Sequence, residues 1–580
     1  MPKIGNTASA TGSGLGFEMA DSEFDVVVVG SGAGALTAAC RAADLGLGVV
    51  VVEKCASWGG TSASSGGGLW IPCNHLMQQV GLEDSPEDAL QYLLELTGED
   101  VDPAVVRAYV EEAPRMLAWL EKHTEAAFES MIHYADYYQA LPGSRPGGRS
   151  IDPLPYHARE LGESFSSLGL SHVQTRVMGM MGYTNLEGAI LLSKSPGWLK
   201  VIGKLLLEYL ADIPGRVQGR RSRRLVMGNA LMGRLRRSLD DRGVELWLNS
   251  PVKALQREGE RVSGVYLQGS GAEGGRLVRA RRGVIIASGG FEHSQALRDA
   301  HLPQPTRSDW SAAWPGNTGD LLHAARYIGA ATHLLDEAWW GPTIKLPGED
   351  RARMLFTERS MPGCILVNQR GERFVNESVA YTTAVQAMYD GDNLPCFAIF
   401  DSRYRREYPF GPLLPGGMHL DWLQPRVARG DWLRRAPTLE ELARQIGVDG
   451  AGLKQTVERF NHFAGSGIDQ DFHRGEDSYD LLYGDVRLSP NPCLAPLGEA
   501  PFYGVEVYPG DIGTKGGLLT NQHAQVLSVE GEPIPGLYAT GNCTASPMGR
   551  YYPGAGATLG PAMTFGYVAA GHIAKDSDVK

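Results

Sequence analysis

Residues 24–35 read Phe-Asp-Val-Val-Val-Val-Gly-Ser-Gly-Ala-Gly-Ala. The four valines do not alternate with polar residues, as an edge or half-solvated strand would; they suit an interior strand of a parallel sheet, buried on both faces. Gly30-Ser31-Gly32-Ala33-Gly34-Ala35 fits the pattern GxGxxA between that strand and an alanine-rich helix expected over Ala35–Gly46. Gly30 permits a tight turn, Gly32 lets a pyrophosphate approach the backbone, and the small Ala35 lets helix and strand pack closely. The helix N-terminus favours the phosphate charge. A second strand follows at Val49–Val52, and Glu53 closes it, 23 positions after Gly30, where an acid bonds ribose hydroxyls. Lys54 is grouped with this loop. The unit is βαβ, and its chemistry is dinucleotide binding.

Further glycine-rich stretches distinguish FAD from NAD. Gly59-Gly60-Thr61-Ser62 and Gly66-Gly67-Gly68 follow Glu53 at a chain distance suited to lining a flavin, and 59–68 reads as a loop without regular structure. Ala287-Ser288-Gly289-Gly290 ends a buried strand, and Gly541-Asn542 follows another in the run GLYATGN. Periodicity predicts helices over 86–97, 103–122, 196–212, a stretch ending near 242, and 560–573, with strands at 244–248, 262–267 and 536–538. Residues 131–160 read as loop. Residues 340–505 have a different texture, with more Trp and Pro, charged helices near 438–463 and no dinucleotide signature. The expectation is an α/β fold: a discontinuous Rossmann-type FAD-binding domain over 23–338 and 506–580, with an inserted α+β catalytic domain over 339–505. Residues 1–22, rich in Gly, Ser, Thr and Ala, read as a disordered tail and not as a signal peptide.

The bulk properties exclude other classes. The chain has 580 residues, 43% hydrophobic and 21% charged, which suits a globular protein. A net charge of −12 argues against nucleic acid as the main partner. The seven cysteines are scattered without a CxxC pair, so no metal site and no disulfide framework is expected. That usage suits a reducing, cytoplasmic setting. No apolar run is long enough to span a membrane.

Residues 550–560 read RYYPGAGATLG, followed by PAMTFGYVAA, and residues 373–381 read RFVNESVAY. With the glycine motifs, these stretches resemble the 3-ketosteroid Δ1-dehydrogenase family, within the fumarate reductase and ketosteroid dehydrogenase flavoproteins. The resemblance runs over residues 24–574 apart from an insert. It implies FAD contacts from Ala287, Ser288, Gly289, Gly541, Asn542, Gly556, Ala557 and Leu559, and from the backbone at Val252. Covalent members of the superfamily carry a His where this chain has Gly60, so non-covalent FAD is implied. The resemblance also implies that Tyr552 and the Gly556 amide hold a steroid C3 carbonyl, and that Tyr381 is the base. A third tyrosine corresponds to Tyr137 in Tyr134-Ala135-Asp136-Tyr137-Tyr138; Ala135 replaces the usual Pro, which leaves Tyr138 open.

These residue types fit Δ1-desaturation, which takes a proton from C2 and a hydride from C1. The ketone delocalises the charge as an enolate, and two donors at its oxygen stabilise that charge where it develops. A phenol is a weak base, with a pKa of about 10, and needs a neighbour such as Tyr137 to stabilise its ionised form. The run QRGERFVNE over 369–377 is shared across the superfamily and does not discriminate. Arg351, Arg353 and Arg359 read as surface charges, not as a dicarboxylate clamp. Three other readings stay open: a Δ4-(5α) ketosteroid dehydrogenase, a fumarate-reductase-like reductase of a small unsaturated acid, and a flavin-binding protein without turnover. The implied partners are a 3-ketosteroid and an electron acceptor, a quinone or another.

The chain looks longer than compact family members over about 160–225. Trp198, Leu199, Val201, Ile202, Leu205, Leu206, Tyr209 and Leu210 fill most of a helical surface, and Arg216, Arg220, Arg221, Arg223 and Arg224 follow. An apolar helix beside a basic run suits peripheral docking on an anionic inner membrane face through 196–224; a core-packed or oligomer-forming helix is the alternative. Met178, Met180 and Met181 either line an apolar entrance or simply pack.

Overall fold

The computed structural model describes residues 22–177, 179–193, 197–219, 221–269, 275–416 and 431–576. The expected tail lies outside them except for Ser22, which already opens the first strand; Met178 and Arg220 also lie outside.

The first sheet is built on the opening motif. Strand β1 (Ser22–Val29) runs parallel to β2 (Val49–Val52) on one side and to Arg276–Ile286 on the other. Glu245–Trp247 extends the parallel set beyond β2, and Pro533–Ala539 joins it beside the end of Arg276–Ile286. An antiparallel meander, Val252–Glu258 and Arg261–Leu267, pairs with the start of that same strand. The valine run explains the layering. Val26 and Val28 belong to the core on one face, with Val49 and Val51. Val27 and Val29 belong to the core on the other, with Val50 and Val52. Helix α1 (Ala33–Asp44) buries an alanine-rich face against the C-terminal helix Leu559–Lys575.

A second sheet is antiparallel throughout. Its order is Arg353–Met354, Ala338–Ile344, Phe502–Thr514, Cys396–Phe400 and Cys364–Val367, with Leu433–Ala436 also on Phe502–Thr514. The 13-residue strand Phe502–Thr514 returns the chain towards the first sheet. Helix Tyr381–Tyr389 packs on Ala338–Ile344. That contact brings the second sheet's apparatus towards the cofactor loops.

Two local expectations are corrected. Residues 59–68 are not wholly irregular: Gly60–Ser64 forms one helical stretch, supported by Ser64 Oγ donating to the Thr61 carbonyl at 3.1 Å. Residues 131–160 contain strand Ser150–Pro153, paired with Leu69–Trp70 and Phe128–Ser130. All four of its residues are buried, so it lacks the alternation that would mark a strand.

The insert forms helices Asn185–Ser193, Trp198–Ala211 and Ile213–Gln218. Trp198–Ala211 buries only Leu205, while Leu199 and Leu207 are 65% and 70% exposed. The expected free basic run is also corrected. Arg221 donates to the carbonyls of Leu168 and Gly169, Arg223 pairs with Asp212, and Arg224 pairs with Glu187. Those guanidiniums fold inward because carbonyls and carboxylates of the insert and its surroundings wait for them. No helix among the described residues is long and apolar enough to cross a membrane.

Candidate active site

The cofactor loops meet at the C-terminal ends of the parallel strands, where open α/β sheets bind ligands. Gly30 has φ +107°, and a Cβ there would lie 2.3 Å from the Ala287 carbonyl oxygen, so only glycine lets the first loop cross beside Ala287-Ser288. Ser31 Oγ donates to Glu53 at 2.5 Å and accepts from the Gly59 amide at 3.0 Å. Ser62 Oγ accepts from Ala33 N at 3.1 Å, which ties the second glycine stretch to the start of α1. Gly32 opens α1 without a capping side chain, so the helix end presents main chain to an anion. Thr61 Oγ accepts from Trp314 N and Asn317 Nδ2, and Asn317 packs on Gly289. Gly67 packs on Gly228, and Gly66 accepts from Asn185. Val252 begins its strand two residues beyond Ser250, whose amide donates to the Glu53 carbonyl. Asn542 Oδ1 accepts from Trp339 Nε1 at 3.0 Å, and Gly541 faces Ala562 on the C-terminal helix. Lys54 is different: its amine is taken by Asp320 and Thr318, both at 2.6 Å. This glycine-lined main-chain cradle with an acid at its strand end fits an FAD.

The three tyrosines come from distant parts of the chain and meet. The hydroxyls of Tyr137 and Tyr381 are 2.7 Å apart. The ring of Tyr552 lies 5.1 Å from that of Tyr381 and 5.4 Å from that of Tyr137. Tyr138 points elsewhere, its hydroxyl 3.4 Å from Thr383 and its ring against Tyr551.

Each tyrosine is held by its local structure. Asp136 is buried and accepts from Trp70 Nε1 at 2.7 Å and Arg149 at 2.8 Å, which fixes the loop, while Tyr137 N donates to the Pro553 carbonyl at 2.9 Å. Tyr381 is the first residue of its helix. Tyr552 leads into Gly556, whose φ is +98° and whose Cβ would fall 2.5 Å from backbone atoms of Leu69. The loop therefore lies directly on strand Leu69–Trp70, and Ala557 and Leu559 follow it into the C-terminal helix.

Burial raises the pKa of all three phenols. Tyr381 is pushed well above 10 by desolvation and then by Tyr552, Tyr134 and Tyr479, and the hydrogen bond from Tyr137 acts in the opposite direction. Tyr552 is raised by burial, with Tyr381, Thr558 and the Gly556 backbone opposing.

Several neighbours escaped the sequence reading. Tyr479 packs at a tilt against Tyr137 with ring centres 4.5 Å apart, Tyr134 bonds Tyr483 at 2.7 Å, and Phe356 and Trp339 wall Tyr381 and Tyr552. With 22 tyrosines in the chain, no local signal singles these out. Lys515 is buried over the Trp339 ring, its pKa lowered to about 7 by desolvation. The reading of Arg351, Arg353 and Arg359 as surface charges is corrected: all three are buried, Arg359 completely.

The chain as a whole is similar to known proteins. The family model described as FAD binding domain matches residues 25–559. A 3-oxosteroid 1-dehydrogenase of Mycobacterium tuberculosis (strain CDC 1551 / Oshkosh) is 43% identical, over 96% of this chain and 99% of that protein. The chain belongs to the 3-ketosteroid Δ1-dehydrogenase family. A crystal structure of a family member, the 3-ketosteroid Δ1-dehydrogenase from Sterolibacterium denitrificans in complex with 1,4-androstadiene-3,17-dione, superposes with a TM-score of 0.91 at 46% identity, covering 95% of this chain and 99% of that one. A 4-oxocyclohexanecarboxylate 2-dehydrogenase of Sinomonas cyclohexanicum is 38% identical over 95% of this chain and 93% of that protein. Membership makes this chain an FAD-dependent oxidoreductase with the expected α/β flavoprotein fold.

Proposed function

We propose that this enzyme introduces the C1–C2 double bond into the A ring of 3-ketosteroids, with Tyr381 as base, Tyr137 as its hydrogen-bonding partner, and Tyr552 with the Gly556 amide as the grip on the C3 carbonyl. The observation that carries the reading is the 2.7 Å contact between the Tyr137 and Tyr381 hydroxyls beside Tyr552. In this reading residues 23–338 and 506–580 form the cofactor part, and 339–505 supply the catalytic insert.

Bound FAD supplies a hydride acceptor at its N5 position. Held by Tyr552 and Gly556, the ketone oxygen meets two neutral donors, which stabilise enolate charge without placing a second full charge in an apolar pocket. Polarising the ketone acidifies C2, and Tyr381 takes that proton. Tyr137 donates to the Tyr381 oxygen and so favours its ionised form. Trp339, Phe356 and Tyr479 exclude water, which strengthens each of these interactions. Gly60 offers no side chain for a flavin linkage, so the cofactor is held without a covalent bond.

The test is to incubate the purified protein with a 3-keto-4-ene steroid and an artificial electron acceptor. A product lacking two hydrogens, with a C1–C2 alkene, is expected. Desaturation at C4–C5 of a 5α-steroid alone, or reduction of fumarate-like acids without ketosteroid turnover, overturns the reading. Preference for 4-oxocyclohexanecarboxylate retains the chemistry and overturns the steroid assignment.

The insert supports a second element of the reading, peripheral contact with a membrane. Leu199, Leu207, Leu210, Ile213 and Val217 are all more than half exposed over two successive helices, an apolar face suited to lipid. Because Arg221, Arg223 and Arg224 are engaged internally, apolar insertion drives the contact. Neutral and anionic vesicles are expected to bind the full chain similarly, and L199D/L207D is expected to abolish binding. Self-association without vesicle binding would assign the face to a second copy of the chain.

A further inference from the structure

Lys515 is completely buried, and burying an ammonium is costly unless bonds and opposite charge compensate it. The acid that acts on it, Glu337, is already engaged: its carboxylate accepts from Trp340 Nε1 and from Arg550, both at 2.9 Å. Among the described residues the ammonium donates one hydrogen bond, to the Tyr551 carbonyl at 2.8 Å, and its nitrogen lies 4.5 Å from the centre of the Trp339 ring. An indole face is the best aromatic partner for a cation, the more so when both are desolvated, and Trp339 is buried as well.

Three segments of the site meet at this lysine. Its amide donates to the Glu337 carbonyl at 3.0 Å, two residues before Trp339. Its carbonyl accepts from the Ser546 amide at 3.0 Å, in the loop that follows the Gly541-Asn542 turn. Its ammonium bonds the carbonyl of Tyr551, in the peptide unit that carries the Tyr552 nitrogen. Trp339 repeats the connection: its Nε1 donates to Asn542 Oδ1 at 3.0 Å, and its ring stands edge-on to Tyr552 with centres 4.9 Å apart. On the other side of Tyr552, the Pro553 carbonyl accepts from Tyr92 Oη at 2.7 Å and from Tyr137 N at 2.9 Å. Tyr552 therefore lies between two anchored carbonyls, one tied to the tyrosine cluster and the other, through Lys515, to the cofactor turn.

We propose that Lys515 is a positioning residue for the C3-carbonyl grip: it fixes the backbone and the indole wall of Tyr552 against the Gly541-Asn542 turn, and so sets where a ketone held by Tyr552 lies relative to the flavin. It acts through Tyr552 and not on the substrate. A cation suits the task because one group bonds a carbonyl and attracts an aromatic face at once. The inference rests on Tyr552 being the grip. No proton or electron passes through Lys515 in this role.

The experiment is a double-mutant cycle of Lys515→Met and Tyr552→Phe at full FAD occupancy, read as kcat/KM for a 3-keto-4-ene steroid. Lys515→Met is expected to lose about tenfold alone and less than about twofold in the Tyr552→Phe background, where the grip it positions is already gone. An undiminished loss in that background marks a lysine that only supports the fold, and overturns the proposal. Steroid binding, followed by flavin absorbance, gives a second readout. Lys515→Met should weaken a 3-keto steroid about tenfold and leave a steroid lacking the C3 oxygen within about twofold of wild type; equal weakening of both overturns the proposal. Trp339→Phe keeps a ring beneath the ammonium but loses the bond to Asn542, and it takes the place of Lys515→Met in both measurements, with the same pattern expected, should that variant not load FAD. Normal turnover by Tyr552→Phe would sink the grip reading and this inference with it. A Tyr552→Phe defect that Lys515→Met multiplies sinks this inference alone.

Discussion

Removing the Tyr137 hydroxyl is the sharpest single perturbation of the site. Tyr137→Phe keeps the ring and its contacts at 4.5 Å with Tyr479 and 5.4 Å with Tyr552, so the aromatic packing survives. What it deletes is the 2.7 Å hydrogen bond to Tyr381. Against a neutral phenol such a bond is worth about 1 kcal/mol, and against a charged group about 1.5–3 kcal/mol. The phenolate therefore loses roughly 0.5–2 kcal/mol more than the phenol. At 1.36 kcal/mol per pH unit, the working pKa of Tyr381 rises by about one unit and kcat/KM near neutrality falls about tenfold, more if donor geometry tightens with substrate bound. The assay is kcat/KM for a 3-keto-4-ene steroid across the pH range, at measured FAD occupancy. Tyr138→Phe is the internal control: its hydroxyl lies 3.4 Å from Thr383 and by the Tyr552 backbone, with no hydrogen bond to Tyr381, so a smaller effect with no shift of the pH profile is expected. A pH profile of Tyr137→Phe that superimposes on wild type, or an equal effect from Tyr138→Phe, would refute the assignment of Tyr137 as the phenol that supports the base.

Three further outcomes follow from the geometry. Gly30→Ala places a methyl 2.3 Å from the Ala287 oxygen at φ +107°, so it should yield colourless protein with FAD affinity down by at least about tenfold, measured by flavin fluorescence on titration. Gly556→Ala meets the Leu69 backbone at 2.5 Å; displacement of the carbonyl grip should lower kcat by roughly 100-fold or more with the flavin retained. Asp152 is buried, accepts from Asn185 and has its pKa raised to about 7 by desolvation. Because the folded value lies above the unfolded one, its contribution to stability is complete below about pH 4 and lost as pH rises through about 7. Asp152→Asn should therefore gain thermal stability over wild type as pH rises across that window, and a pH-independent difference in Tm would contradict the cause given.

The sequence exposes what is local and hides what is brought together by the fold. Gly30 to Ala35 and the valines before them were legible because strand, turn and helix lie within one short stretch, and each residue's role depends on its immediate neighbours. RYYPGAGATLG was legible through its likeness to a family. The tyrosine cluster was only partly so: Tyr479 and Tyr483 reach the site through a long excursion in the second sheet's domain, and nothing near them marks them. Arg359 misled for the opposite reason. An arginine after Thr-Glu and before Ser looks solvated, and only the carbonyls of Glu377 and Val379 reveal why it is buried. The insert's arginines misled likewise, since their acceptors on Leu168, Asp212 and Glu187 are spread over 45 positions of sequence.

The choice of phenols over carboxylates follows from how charge must move here. A buried carboxylate base would bring a permanent negative charge that repels the enolate forming one ring atom away. A phenol is charged only when it is ready to act, and it becomes neutral as the C2 proton arrives, just when negative charge appears on the ketone oxygen. In the proposed mechanism the charge passes from Tyr381 to an oxygen gripped by Tyr552 and Gly556, and at no stage do two anions share the pocket. The difficulty of this design is the resting state, because a phenolate among neutral rings is expensive. In the proposed mechanism the hydrogen bond from Tyr137 to the Tyr381 oxygen offsets part of that cost.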